Sequence, residues 1–516
     1  MTVTHAWLIL AMFLTGQVPP PTTSSKAAEP LRTARQAIVE RETKGLITLA
    51  DRLDRTGSKE AARAVRSAVE ESPAPDGRMR FESIPEVVPA VEPKAGGATS
   101  WEMERDQLRE AAARDLFDLA VHAVEAEPRH YGIADACLRG VLTRQPDHAE
   151  ARRLMGQVKH RGGWATPYAV RQFADGKVPH PVFGWVKASW VPHLVKNELP
   201  APGAADGRER WLPTDEADAL RRDFDRGWRI TTEHFAIQTN VPLAEAIAFG
   251  RHLETLHEVF ESLLADVMGE VSPLAQRFRR KDMTGERTSE PHLVSYYSNR
   301  AEYAQAVRIY TDVDPELSLG YYHPPQARGQ RRGRAYFFRD PGGELAATAT
   351  LFHEGSHMLL FESGVARSEA LRTNAGNYWV FEGLGTFFET LDIDEEGVIR
   401  VGGLHGPRNE AARVELLKPG QLTPLSVFLA FDQNAFNNGG NVIRHYQQAS
   451  ALASFLLGAE KGRYGDGFLD YVRDACAGRL RRTSGRSLEA RLDTSSTTLQ
   501  AEFLDYLRTG PVTPGK

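Results

Sequence analysis

The stretch Leu351–Leu360 reads LFHEGSHMLL, and it restricts the chain more than any other ten residues. Its apolar run predicts a helix that starts after Pro341–Gly342 and stops at Gly364. On such a helix His353 and His357, four apart, point their imidazoles the same way and can reach one metal ion from one rigid element. Glu354, next to the first imidazole, is placed to take a proton from a water that zinc has acidified. Catalytic zinc takes three protein donors and leaves a position for water, so the fold must bring a third ligand to the pair. Cys137 and Cys476 are the only cysteines, too few for a disulfide framework or a Cys-based site, which leaves His, Asp or Glu as donors.

Glu382, 25 residues past His357 in NYWVFEGLGTFFETL, is the expected third ligand. Gly383 and Gly385 each cost a helix interior about 1 kcal/mol, which makes sense if this helix lies close against the first. Thr386 and Glu389 fall on the same side as Glu382, where either could bond the far nitrogen of a ligand histidine.

HEGSH followed by WVFEGLGTFFE resembles the gluzincin metallopeptidases, the thermolysin-like clan with an HExxH helix and a Glu on a later helix. More closely, the run from TTEHFAIQTN through HEGSH to HYQQASALASFLL resembles an uncharacterised bacterial gluzincin-like family of exported proteins with helical N-terminal regions. That likeness covers approximately residues 230–460, and its motifs are specific for zinc more than for substrate. The metzincin pattern would need Gly at 360 and His at 363, where this chain has Leu360 and Ser363. Aminopeptidase-type gluzincins place a catalytic Tyr in a Tyr–x–x–Gly helix, and the resemblance implies Tyr446 for that part, although Ala449 replaces the Gly. A phenol there would donate to the oxyanion of the tetrahedral intermediate, with His445 and His323 as competing donors and His405 as a loop residue. The strand-like GRAYFFRD lacks the Glu with which those aminopeptidases grip a free amine, so an endopeptidase adding its substrate to this strand's edge is the expectation. Arg328–Arg334 just upstream reads as a solvated loop, or as a bias toward acidic peptides.

The remainder sets the frame. At 516 residues the chain exceeds one ordinary core, and with 41% hydrophobic residues it has material for several folding units. The formal net charge of -5, without a polybasic tail, argues against nucleic acid as a partner. Ala6–Leu14 has signal-peptide length, with Ser25 and Ala27 at cleavage spacing, so 1–28 is expected to be a signal peptide and the protein exported, periplasmic or extracellular. An uncleaved anchor is the second reading, and no other segment is expected to span a membrane. Residues 29–75 read as helical, 76–100 as a Pro- and Gly-rich linker, 101–160 as a helical region that is either a tetratricopeptide-like unit or a small helical bundle, and 161–227 as irregular or short-stranded. From Trp228, alternating strands and an amphipathic helix precede a mostly helical remainder, which predicts an α+β class with a zinc metallopeptidase-like domain at 228–510.

The function expected is zinc-dependent hydrolysis of a peptide or protein substrate, with His353, His357 and Glu382 as metal ligands, Glu354 as base and Tyr446 as oxyanion donor. Two alternatives stand beside it. One is a non-catalytic zinc-containing scaffold that binds a protein partner through its helical N-terminal half; the other is zinc hydrolysis of a non-peptide amide or ester.

Overall fold

A computed structural model describes residues 24–69, 77–90, 98–202, 209–280, 290–310, 318–325, 332–339, 344–366, 376–394, 397–437, 440–480 and 487–510. The apolar run expected to be a signal peptide lies outside the described residues. The class is α+β, as the sequence predicts: helices dominate, and the strands form small sheets.

The elements that position the site come in chain order as follows. Helix α1 spans Ser24–Arg55 and strand β1 Met79–Glu82, and helices α2 (Ser100–Glu125) and α3 (Tyr131–Arg144) follow. Then come β2 (Trp228–Thr231), β3 (Phe235–Thr239), α4 (Leu243–Leu263), β4 (His292–Tyr297), β5 (Gly320–His323) and β6 (Arg334–Phe338). Helix α5 covers Glu344–Glu362, α6 Tyr378–Phe388, β7 Asp392–Ile393, β8 Val398–Val401, α7 Pro407–Glu415, α8 Val442–Gly458 and α9 Gly465–Cys476.

The central sheet has five strands in the order β5–β6–β4–β3–β2. Strands β3, β4 and β6 run parallel, and β2 and β5 close the two sides antiparallel. Alternation places it: Trp228 and Ile230 of β2 and Phe235 and Ile237 of β3 are buried, while the residues between them are more exposed. Helix α5 lies over this sheet and against α4, where a Cβ on Gly355 would stand 2.6 Å from Leu256 Cδ2. On its other side α5 meets α6, whose Trp379, Leu384, Phe387 and Phe388 are fully buried in the main core. Helix α8 packs on α6 through small residues, so that Gly383 faces the Ala449 carbonyl at 3.2 Å from a notional Cβ.

The structure corrects three expectations. Residues 76–100 contain strand β1, which pairs antiparallel with β8 from Met79↔Val401 to Glu82↔Val398, although local composition looks like a linker. The tetratricopeptide-like second helix stops after Ala149–Leu154, because Gly156 takes φ +87° and the chain turns into the strand Val158–His160. Residues 161–227, expected to be irregular or short-stranded, do carry short hairpins such as Lys177–His180 with Gly184–Lys187. Finally, GRAYFFRD is not an edge: β6 is paired on both sides, and the strand at the edge next to it is β5, with β2 at the other end of the sheet. No helix among the described residues is long and apolar enough to cross a membrane.

Candidate metal centre

His353 and His357 meet across one turn of α5, their Nε2 atoms 3.1 Å apart. Glu382 of α6 brings Oε2 to 3.3 Å from the first and 3.8 Å from the second. A tetrahedral ion with bonds near 2.0–2.1 Å separates its donors by roughly 3.3 Å, which these three spacings bracket. Among the described residues this trio is the one His/Cys/Asp/Glu group whose ligand atoms converge tightly enough for a metal.

Two further observations test the fit. Glu382 Oε2 is buried and accepts no hydrogen bond, an expensive state unless a cation completes it. His353 Nδ1 donates to Glu389 Oε1 at 2.8 Å, which turns Nε2 into the cradle. Burial alone would lower the His353 pKa, yet Glu382 and Glu389 raise it to about 10. Burial likewise pushes Glu382 up, but His353 and His357 hold it well below the carboxylate range. The pocket thus favours positive charge between the imidazoles and the carboxylate, as zinc would supply.

The glycines explain how the helices come so close. A Cβ on Gly385 would lie 2.8 Å from His353 Cε1, so any other residue there would push the ligand ring. Gly383, in contrast, faces α8 rather than α5.

Glu389 is where the sequence places it, behind His353, whereas Thr386 turns its hydroxyl back to the Glu382 carbonyl at 2.7 Å. Two residues that sequence reasoning missed complete this shell. Tyr378 donates to Glu382 Oε1 at 2.6 Å, and its position four residues before Glu382 on α6 was a readable signal. Arg408 of α7 donates to Glu389 Oε2 at 2.6 Å and lies 5.2 Å from the Tyr446 ring centre. No local pattern marks Arg408, because the β7–β8 hairpin separates it from α6.

Glu354 has no hydrogen-bond or ion-pair partner among the described residues, and Gly320 of edge strand β5 sits against it, 2.9 Å from a notional Cβ to Glu354 Cγ. Tyr446, on α8, lies with its ring centre 6.4 Å from that of His353. Its phenol is pushed up by burial and by the nearby Glu382 and Glu354 carboxylates, so it stays protonated and able to donate. The competing donors lie elsewhere: His445 is buried against Phe428 and Phe431 with Nδ1 at 2.7 Å from the Phe436 carbonyl, and His323 rests on Tyr310 at 4.2 Å between ring centres. His405 is in a loop.

Of the basic run, Arg332 and Arg334 are described, and both turn to the protein rather than to a cleft. Arg332 pairs with the buried Glu362 at 3.2 Å, and Arg334 donates to Ser295 at 3.1 Å. Glu362, at the end of α5, also binds His292 Nδ1 at 2.6 Å and the Gly333 amide at 2.7 Å, which ties the HExxH helix to the sheet.

This is a two-helix His–His–Glu cradle on an α+β scaffold, a group that could hold a metal ion. Residues 347–476, which hold the three candidate ligands, Glu354 and Tyr446, match a family model described as "Protein of unknown function (DUF1570)". No curated protein matches the chain.

Proposed function

We propose that the chain is an exported zinc-dependent peptidase of the gluzincin kind, acting within peptide chains. The observation that carries this reading is Glu354, an unpaired carboxylate beside the cradle of His353, His357 and Glu382. A structural zinc site has no use for a free base at that place, whereas hydrolysis requires one.

His353, His357 and Glu382 would hold a zinc ion, which when bound would supply the Lewis acid that acidifies a water and polarises a carbonyl. Glu354 takes the water's proton and passes it to the leaving amine, which asks of one carboxylate both base and acid roles. Tyr446 donates its phenolic hydrogen to the developing oxyanion. Glu389, braced by Arg408, holds His353 in the tautomer that presents Nε2, and Tyr378 holds Glu382 by its other oxygen.

The endopeptidase reading now rests on β5. Its outer edge has no strand partner among the described residues, and its Gly320 lies beside Glu354, so an extended peptide pairing there would run past the base. The test is incubation of the zinc-loaded protein with a denatured-proteome peptide library, with and without chelator, and cleavage sites read by mass spectrometry. Internal cuts that the chelator abolishes are expected. Removal of terminal residues alone would replace the endopeptidase reading with an exopeptidase, and no cleavage of any peptide would sink the proposal.

A further inference from the structure

Helix α4 turns Leu253 and Leu256 toward Gly355 of α5, and another flank toward a separate cavity of about 440 Å³. That volume is within the range of small-molecule sites. The walls come from α4, the β2–β3 turn, α3 and the segment around Glu86.

The cavity's charges are unequally satisfied. Arg139 takes Asp135 at 2.9 Å and Glu258 at 2.7 Å, and His234 takes Glu254 at 2.6 Å. Three further carboxylates line the same space with no Lys or Arg at ion-pair distance. Glu86 receives only the Trp185 indole N–H, at 2.9 Å. Glu233 has the Thr166 hydroxyl, and Glu261 has only His257 Nε2, 3.6 Å away and beyond hydrogen-bonding reach. His257 is itself 7% exposed, makes no hydrogen bond among the described residues, and lines the cavity. Burial and the adjacent cations push its pKa well down, so it presents a neutral ring with an unused acceptor. Arg251 and Arg277 also line the cavity, yet burial raises all three of these carboxylates, Glu86 to about 7, and the pull of His234 on each, and of Arg277 on Glu233 and Glu261, offsets it only in part.

These groups do not close around one metal ion, since among the described residues three ligand atoms converge only at His353, His357 and Glu382. A longer cation with separated charges suits them better. We propose that this cavity binds a small aliphatic polyamine, whose ammonium groups pair with Glu86, Glu233 and Glu261 and donate to His257. Ammonium groups supply several donors and no acceptor, which matches a wall of carboxylates and one free imidazole lone pair.

The experiment is titration calorimetry of the zinc-loaded full chain with spermidine, beside a thermal melt of the wild type with and without it. Saturable binding and a raised melting temperature are expected. Glu233→Gln and Glu261→Gln should each weaken binding about 10-fold or more, because each removes a charge-assisted bond. Both variants should fold, since neither carboxylate pairs with a Lys or Arg and Gln keeps nearly the same shape. The proposal is overturned by the absence of saturable binding and of a melting shift, by full-strength binding in both variants, or by Mg²⁺ binding there in preference to spermidine.

Discussion

Gly385→Ala should damage the metal site although it improves the helix. In a helix interior, replacing Gly by Ala is normally stabilising by about 1 kcal/mol. At Gly385 the new methyl would stand 2.8, 2.9 and 3.0 Å from Cε1, Nδ1 and Nε2 of His353. Carbon contacts settle near ~3.5–4.0 Å, so the ring or the helix must yield by roughly 0.5–1 Å. The ring has little freedom, because Glu389 holds Nδ1 at 2.8 Å and Arg408 holds Glu389 at 2.6 Å. Overpacking of this kind costs ~1–3 kcal/mol, enough to cancel or reverse the helix gain. Zinc affinity should fall about 10–100-fold, as when an outer partner of a ligand is lost, and turnover by on the order of 10²-fold for a ligand displaced by about 1 Å. A competition titration against a chromogenic zinc chelator reads the affinity, with a thermal melt alongside. Gly383→Ala is the control, because its methyl faces the Ala449 carbonyl at 3.2 Å and leaves His353 alone. Zinc affinity within two-fold of wild type in Gly385→Ala, together with a raised melting temperature, would refute the reasoning.

Tyr446→Phe should lower kcat by on the order of 10²–10³-fold with little change in KM or zinc content, which steady-state kinetics on a cleaved peptide would show. An unaffected rate would remove Tyr446 from the oxyanion role. Glu389→Gln should weaken zinc by about 10–100-fold, and Arg408→Gln should shift it the same way by less, both read by chelator competition. Glu86 carries a pH prediction. Burial raises its carboxyl from 4.5 to about 7, so between those values the folded chain keeps a proton that the unfolded chain releases, and stability falls as pH rises. The full gap is worth ~3 kcal/mol, so Glu86→Gln should gain up to that much at about pH 8 and nothing at about pH 4 in polyamine-free buffer. Equal effects at both pH values in denaturant titrations would contradict it.

What the sequence made legible was local. His353, Glu354 and His357 share one turn, and Glu382 and Glu389 share a face of α6 and its end, so helical spacing alone puts them together. The places of four strands along the chain were legible too, since β2, β3, β4 and β6 alternate or run apolar where expected. Which strand is the edge was not, because β5 inserts beside β6 through pairings that no local pattern encodes. The same limit hid β1. Its MRFE is too short to outweigh the surrounding Pro and Gly, and its partner β8 lies more than 300 residues away. Arg408 and the acidic cavity behind α4 were invisible for the same reason, since each depends on side chains gathered from distant elements.

The measurement that bears most directly on the central claim is the peptide-hydrolysis rate of Glu354→Gln beside its zinc content. Ligation rests on His353, His357 and Glu382, while proton transfer rests on Glu354, so the two should separate. The expected result is about one zinc per chain, as in the wild type, with hydrolysis reduced by at least ~10²-fold. Wild-type turnover by the zinc-loaded variant would contradict the assignment of Glu354 as the base, and with it the metallopeptidase reading of this site.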